Sequence, residues 1–180
     1  MPRSGHDARP TGPGSPDDGP GLVVAAPLSG TVVALADVPD PVFAQEFVGP
    51  GLAIEPRADE TGVSAVVSPA AGVVGSLFPH AFALETGDGR TVLVHLGIDT
   101  VRLGGEGFRL GGEGFRLHVE AGERVVAGAT LITWEPARVA SLGLSTVCPV
   151  VALQGDPGLL TLLVAPGTQV AAGEPVLTWS

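Results

Sequence analysis

The sequence predicts an all-β fold, a compact antiparallel β-sandwich or barrel with an internal pseudo-repeat and a few short helical turns. The chain holds 27 Gly and 17 Pro among 180 residues, a turn-dense composition that favours short strands. Short apolar runs recur from Leu22 onward, and each ends at a Gly or Pro. No stretch keeps apolar residues at the 3.6-residue spacing of a long amphipathic helix. We therefore expect one domain over residues 21–180, preceded by a disordered Pro- and Gly-rich tail over residues 1–20.

The charge pattern excludes several classes of partner. The net charge is −10 and every basic side chain is Arg, so binding to nucleic acid is not expected. Membrane insertion is not expected either, because no apolar run approaches the roughly 20 residues that a spanning helix needs. The N-terminus lacks the apolar segment of a secretory signal. The one cysteine, Cys148, cannot form an internal disulfide, so we expect a buried, inert thiol and a cytoplasmic location.

Two kinds of element are predicted along the chain. A short helical turn fits within residues 38–51, where Pro41 is restricted to the first turn. Two pairs of similar segments, each a strand, a Gly turn and a strand, predict two similar halves packed face to face. These pairs are PLSGTVVAL (27–35) with PAAGVVGSL (69–77), and VEAGERVVAGATLITWEP (119–136) with VAPGTQVAAGEPVLTWS (164–180).

The Gly-x-x-Val-x-x-Gly spacing in these repeats is also typical of lipoyl and biotinyl carrier domains. Those domains attach their cofactor to a lysine, and the sequence contains none. A swinging-arm carrier is therefore excluded, and no cofactor is expected.

A histidine in an apolar strand marks the candidate site. His95 follows Val92, Leu93 and Val94, and TGDGR (86–90) upstream is a hairpin signal that leads back to His80. A two-residue turn at Gly87 and Asp88 would place His80 opposite His95. A turn at Asp88 and Gly89 would place the two diagonally. In both registers the imidazoles share one face, with Cβ atoms about 5 Å apart when directly opposite, whereas a three-residue loop would break this parity.

Two touching imidazoles suit either of two kinds of chemistry. Both cannot be charged without repulsion, so at neutral pH at least one is expected to be neutral and nucleophilic. Its neighbour can donate a hydrogen bond to an anion, so the pair can carry a phosphoryl group or hold a metal. A zinc hydrolase would need a third ligand and usually a His-x-His pair, but Leu93 and Gly97 occupy those positions. A metal at an interface, shared with a partner's carboxylate, stays open. His6 and His118 are expected to be solvated.

Three neighbouring features complete the pattern. Gly97 leaves room for another backbone or a ligand to approach. Asp99 can fix an imidazole tautomer, repel phosphate as a gate, or simply form a turn. An identical tandem, RLGGEGF at 102–108 and again at 109–115, is either a tolerated loop duplication or a binding loop.

The sequence also resembles a known family. Four segments carry the resemblance: APLSGTVVALADVPDPVFAQEFVGPGLAIEP, VSPAAGVVGSLFPHAFAL, VLVHLGIDTVRLGGEGF and VEAGERVVAGATLITW. They are similar to the enzyme IIA component of the glucose-type phosphoenolpyruvate-dependent sugar phosphotransferase system, and the similarity covers about residues 22–180. The resemblance implies an antiparallel β-sandwich in which His95 is phosphorylated at Nε2 and His80 supports the phosphoryl group. It also implies that Asp99 and the backbone of Val101 line the site.

The resemblance further implies how the protein meets its partners. The phosphoryl group would come from phospho-HPr and pass to a IIB domain of a sugar permease. An alternative is a regulatory protein that selects its targets by phosphorylation state. An apolar docking patch is implied at Val42, Phe43, Val48, Phe78, Leu93 and Val94.

The sequence departs from the family at one site position. The family often has a Thr two residues before the first histidine, where it bonds that imidazole. Phe78 stands at that position here, which leaves the tautomer of His80 open.

Overall fold

The computed structural model describes residues 21–104 and 114–180, and every strand pairing within them is antiparallel. The predicted tail at residues 1–20 and the middle of the tandem lie outside the described residues. The strands are β1 (Leu22–Ala25), β2 (Gly30–Val33), β3 (Gly51–Pro56), β4 (Ser64–Val67), β5 (Gly72–Phe78), β6 (Ala81–Glu85), β7 (Thr91–His95), β8 (Phe115–Leu117), β9 (Arg124–Val125), β10 (Thr130–Trp134), β11 (Cys148–Ala152), β12 (Leu160–Leu162), β13 (Gln169–Val170) and β14 (Pro175–Trp179). The prediction of an antiparallel all-β fold is confirmed.

The helices in the described part of the chain are short. They are α1 (Pro41–Ala44), α2 (Pro136–Ser141) and the 3-10 helices Leu35–Asp37, Thr100–Gly104 and Pro157–Leu159. Helix α1 lies where the helical turn was predicted and begins at Pro41. The Asp40 carboxylate caps it by accepting the N–H groups of Val42, at 2.7 Å, and Phe43, at 3.4 Å. Proline at the first helical position after an Asp cap has a preset φ and lacks an N–H that would have no partner.

The strands form one large and two small sheets. Within the described residues the large sheet has the order β13-β2-β3-β11-β7-β6-β5-β9. The small sheets have the orders β1-β14-β12 and β4-β10-β8. Strand β7, which carries His95, therefore lies in the interior of the large sheet, between β6 and β11.

The internal similarity corresponds to a repeated pairing pattern. Strand β1 pairs with β14 and β2 with β13, while β4 pairs with β10 and β5 with β9. The similar segments thus occupy matching places, and β13-β2 and β5-β9 form the opposite ends of the large sheet. The predicted pseudo-repeat is confirmed in this form.

The large sheet separates two apolar clusters. Alternate residues of β3, β7 and β11 point to the main core, among them Ile54, Val94 and Val150, all completely buried. Residues of the opposite parity, such as Ala53, Leu93 and Val151, face a smaller cluster. The smaller cluster consists of Leu35, Val38, Phe43, Ala53, Ile98, Val147 and Val151, with Val33, Val48 and Leu93 packed against it. The region of α1 is therefore anchored on the same sheet face as Leu93.

The hairpin between β6 and β7 has a longer loop than predicted. The paired residues run from Ala81 opposite His95 to Glu85 opposite Thr91, so residues 86–90 form the loop. Within the loop the Thr86 N–H donates to the Arg90 carbonyl at 2.9 Å, and the Asp88 carboxylate accepts from the Arg90 N–H at 3.2 Å. The prediction of a two-residue turn was wrong. The Asp88 carboxylate accepts from the Thr86 hydroxyl before it and from the Arg90 N–H after it, and these bonds stabilise a wider loop.

Candidate functional site

His95 ends strand β7 on the face of the smaller cluster. Val92 and Val94 point to the main core, so Leu93 and His95 point to the other face. The ring of Phe43 from α1 lies beside the imidazole, with ring centroids 5.6 Å apart. The side chain is partly buried and remains open to solvent on one side.

A backbone hydrogen bond fixes the tautomer of His95. Its Nδ1 lies 2.6 Å from the carbonyl oxygen of Gly97. A carbonyl can only accept, so Nδ1 carries the proton and donates it. In the neutral ring the lone pair is therefore on Nε2, which makes this nitrogen the nucleophilic atom.

Gly97, whose carbonyl accepts from His95, has a left-handed backbone conformation. Gly97 has a φ of +72°, and a Cβ there would lie 2.8 Å from the carbonyl oxygen of Ser145. Ser145 also accepts the N–H of Ile98 at 2.9 Å. The space left by Gly97 is thus occupied by a neighbouring backbone, which was one of the two predicted occupants.

His80 reaches the site from a turn and not from a strand. Pro79 and His80 form the turn between β5 and β6, and the His80 carbonyl accepts the N–H of Leu96 at 2.7 Å. The ring centroids of His80 and His95 are 5.2 Å apart, with the planes inclined at 59°. The predicted strand register was wrong, since His80 faces Leu96. The imidazoles still meet because the turn conformation frees His80 from strand alternation.

Both imidazoles favour the neutral form. Burial, together with the proximity of His95, lowers the pKa of His80 to about 4. Burial also lowers the pKa of His95, but three groups oppose it: the hydrogen bond to Gly97 and the negative charges of Asp40 and Asp99. At neutral pH the site therefore presents two uncharged imidazoles next to two carboxylates.

The two carboxylates come from different segments of the chain, Asp40 before α1 and Asp99 after β7. Asp99 adopts a φ of +60° and is 3.5 Å from the Arg102 guanidinium, so it forms a turn and also acts electrostatically on His95. Asp40 was not predicted as a site residue. The Asp-Pro pair at 40–41 is a helix-start signal that could have indicated it, although the signal does not show that the carboxylate lies near a histidine.

The predicted apolar docking residues divide into exposed and buried groups. Val42 and Phe78 are exposed, with Phe78 at 54%. Val48 and Leu93 are partly buried against the smaller cluster. Val94 is completely buried and faces the main core, so its assignment to a surface patch was wrong. Phe43 is also buried, and its assignment to that surface was wrong because its ring packs on the smaller cluster beside His95.

Two further large apolar side chains are exposed, Val101 and Phe47. Val101 lies on the 3-10 helix Thr100–Gly104, directly after Asp99, and is exposed. Phe47, which follows α1, is 72% exposed and was not predicted. An isolated Phe in a loop carries no periodic signal, so the sequence does not show whether it is buried.

Two other side chains of potentially reactive types are Cys148 and His118. Burial raises the pKa of the Cys148 thiol strongly, as expected of an inert core cysteine. His118 is exposed and its Nε2 lies 3.0 Å from the Thr133 hydroxyl. Among the described residues, no group of three or more His, Cys, Asp or Glu side chains is arranged to hold a metal ion. Helices long and apolar enough to cross a membrane are likewise not found in that part of the chain.

Comparison with known proteins gives a consistent result. A sequence model described as "phosphoenolpyruvate-dependent sugar phosphotransferase system, EIIA 1" matches residues 22–158. The "PTS system glucose-specific EIIA component" of Halalkalibacterium halodurans is 38% identical over 157 residues, which are 86% of this chain and 83% of that protein.

Two other similar proteins extend the comparison. The "PTS system glucose-specific EIICBA component" of Streptococcus pneumoniae is 43% identical over 129 residues, 71% of this chain and 16% of that protein. Among solved structures, glucose permease IIA from Mycoplasma capricolum superposes with a TM-score of 0.74 at 31% identity. That match covers 89% of this chain and 96% of the other.

Proposed function

The chain belongs to the EIIA 1 family of the phosphoenolpyruvate-dependent sugar phosphotransferase system, and we propose that His95 carries the phosphoryl group. Proteins of this family are phosphocarriers in sugar uptake, and the chain is one of them. The observation that supports His95 most directly is the hydrogen bond from its Nδ1 to the Gly97 carbonyl. That bond directs the lone pair of the neutral ring to Nε2.

The transfer step requires positioning more than covalent chemistry. The Nε2 lone pair of His95 attacks the phosphorus of a donor phosphohistidine in line, and a new P–Nε2 bond forms. The P–N bond of the donor breaks, and its electron pair stays on the donor imidazole. The proton of His95 stays on Nδ1 throughout, hydrogen-bonded to the Gly97 carbonyl, so no external acid or base is needed.

His80 and the carboxylates adjust the stability of the phosphorylated state. A neutral His80 imidazole 5.2 Å from His95, measured between ring centroids, can donate an N–H to a phosphoryl oxygen. Asp40 and Asp99 repel the same oxygens, which favours passing the group onward. A carrier must both accept and release the phosphoryl group. Stabilisation of that group by His80 together with repulsion by Asp40 and Asp99 suits both steps.

Two partners follow from the family and the surface. We assign HPr as the phosphoryl donor and a IIB domain of a sugar permease as the acceptor. The name of the Streptococcus pneumoniae relative, an EIICBA component, indicates A, B and C units in one chain and supports the IIB assignment. Val42, Phe47, Phe78 and Val101 are exposed, and we propose that a partner covers them together with the histidines and so excludes water from the phosphoryl group.

Phosphoryl transfer with purified components tests the proposal. The protein is incubated with phosphoenolpyruvate, enzyme I and HPr, and acid-labile phosphate is followed on the wild type and on variants. We expect label on the wild type, none on His95→Gln, and label without onward delivery on His80→Gln. His118→Gln, which changes an exposed histidine remote from the pair, is the control and should behave like the wild type. Full labelling of His95→Gln would refute the assignment.

A further inference from the structure

We infer that Phe78 is a positioning residue for His80, holding its imidazole by ring stacking where no side-chain hydrogen bond does so. The inference rests on the proposed function, because it assigns Phe78 a part in the delivery of the phosphoryl group.

The stacking geometry carries the inference. The rings of Phe78 and His80 have centroids 5.8 Å apart and planes inclined at only 28°. This is the offset stacked arrangement that aromatic pairs prefer. The planes of His80 and His95 are inclined at 59°, so the ring that stacks on His80 is that of Phe78 and not that of His95.

Other restraints on the His80 ring are few. Within residues 21–104 and 114–180, the imidazole nitrogens of His80 form no hydrogen bond with protein groups, whereas Nδ1 of His95 is bonded at 2.6 Å. The backbone of His80 is fixed by the Leu96 N–H, but this bond does not set the side-chain torsions. Ring packing is thus what remains to hold the imidazole against His95.

The local fold places the Phe78 ring where this contact is possible. Phe78 is the last residue of β5, and it pairs with Ala81 across the turn formed by Pro79 and His80. It is 54% exposed and belongs to neither apolar cluster. The core therefore does not require a large aromatic side chain here, and the contact that uses its ring face is with His80.

Holding by stacking has a chemical consequence. A hydrogen bond would fix the proton on one nitrogen of His80, whereas stacking fixes the plane of the ring and leaves both tautomers available. Either nitrogen can then donate to a phosphoryl group on His95. The Phe78 ring also covers part of the imidazole, which favours the neutral form that this donation needs.

The test compares three variants by two measurements. Phe78→Leu removes the ring and keeps an apolar side chain, Phe78→Tyr keeps the ring, and Phe47→Leu removes a different exposed ring of the same face. Histidine ring NMR titrations report on His80, and quench-flow measurements give the rates of loading from phospho-HPr and of delivery to a IIB domain. We expect Phe78→Leu to raise the His80 pKa from about 4 and to slow delivery about tenfold. Loading of His95 should persist, and Phe78→Tyr should restore both properties.

The control and the contrary outcomes separate this inference from the proposed function. Phe47→Leu should leave the His80 titration unchanged. An unchanged His80 titration in Phe78→Leu overturns the inference, whether delivery is normal or slowed, because a slowed rate alone would mean that Phe78 serves docking only. If the wild type takes no phosphate from phospho-HPr while His80 responds to Phe78→Leu, the proposed function fails and the stacking contact stands.

Discussion

The chemistry of the site depends on two uncharged imidazoles in contact. Desolvation alone would favour neutral rings, and a second ring with its centroid 5.2 Å away adds repulsion if both are protonated. The two histidines then differ in what opposes this effect. At His95 a carbonyl acceptor and two nearby carboxylates oppose it, whereas the phenyl ring stacked on His80 does not. The same residue type is thus suited to act as a nucleophile in one position and as a hydrogen-bond donor in the other, as the proposed function requires.

The low pKa of His80 predicts how stability depends on pH. The unfolded chain binds a proton at His80 below about pH 6.5, whereas the folded protein does so only below about pH 4. The folded state is therefore favoured above pH 6.5, and the free energy of unfolding falls as the pH decreases from 6.5 to 4. Because His80 is half exposed, we expect its contribution to be well below the limit of about 1.4 kcal/mol per pH unit.

Urea unfolding at a series of pH values between 7 and 4 measures this dependence. His80→Gln should give a shallower decline than the wild type, since the variant lacks the group that takes up the proton. His118→Gln is the matched control, and its curve should run parallel to that of the wild type. If His80→Gln also runs parallel, His80 is not held in its neutral form by the fold.

At the scale of single elements, helix α1 carries both an exposed apolar side chain and a ring that contacts His95. It presents Val42 to solvent, and the Phe43 ring packs against His95. Its first residue and its cap are specified locally by the Asp40-Pro41 pair. One carboxylate therefore has two separate effects, because Asp40 accepts backbone N–H groups and its charge also raises the pKa of His95.

Two substitutions of Asp40 separate the cap from the charge. Asp40→Asn keeps a capping oxygen, so stability should change little while the pKa of His95 falls. Asp40→Ala removes both, and we expect it to lower the free energy of unfolding by about 1 kcal/mol as well. Denaturation and histidine NMR titration measure the two effects. Asp37→Asn, which removes an exposed charge from the preceding 3-10 helix, should leave the His95 titration unaltered, and an equal shift there would contradict a local effect of Asp40.

At the scale of the whole molecule, the sequence predicts the chain's strands and its histidine pair better than their exact geometry. Apolar runs bounded by Gly and Pro define the strands, and the two pairs of similar segments predict two similar halves, which correspond to the pairing of β2 with β13 and of β5 with β9. The Asp-Pro signal predicts α1. These features are local or repeated, and local residue preferences are sufficient to specify them.

The features that the sequence does not predict depend on tertiary packing. A two-residue turn within TGDGR would place His80 opposite His95 or Gly97, whereas the wider loop centred on Asp88 places it opposite Leu96. In the continuous apolar strand β7, nothing in the residue types of Leu93 and Val94 shows which faces the main core. The contact between Asp40 and His95 joins residues far apart in the chain, and it becomes visible only once α1 is packed on the large sheet.

Identifying the phosphorylated nitrogen is the most direct test of the proposed role of His95. Protein with ¹⁵N-labelled histidine is phosphorylated through HPr, and long-range ¹H–¹⁵N and ³¹P NMR spectra assign the nitrogen that carries phosphorus. Because Nδ1 of His95 donates to the Gly97 carbonyl, we predict a single phosphoryl group on Nε2 of His95. Phosphorus on Nδ1 of His95, or on either nitrogen of His80, would contradict the central claim.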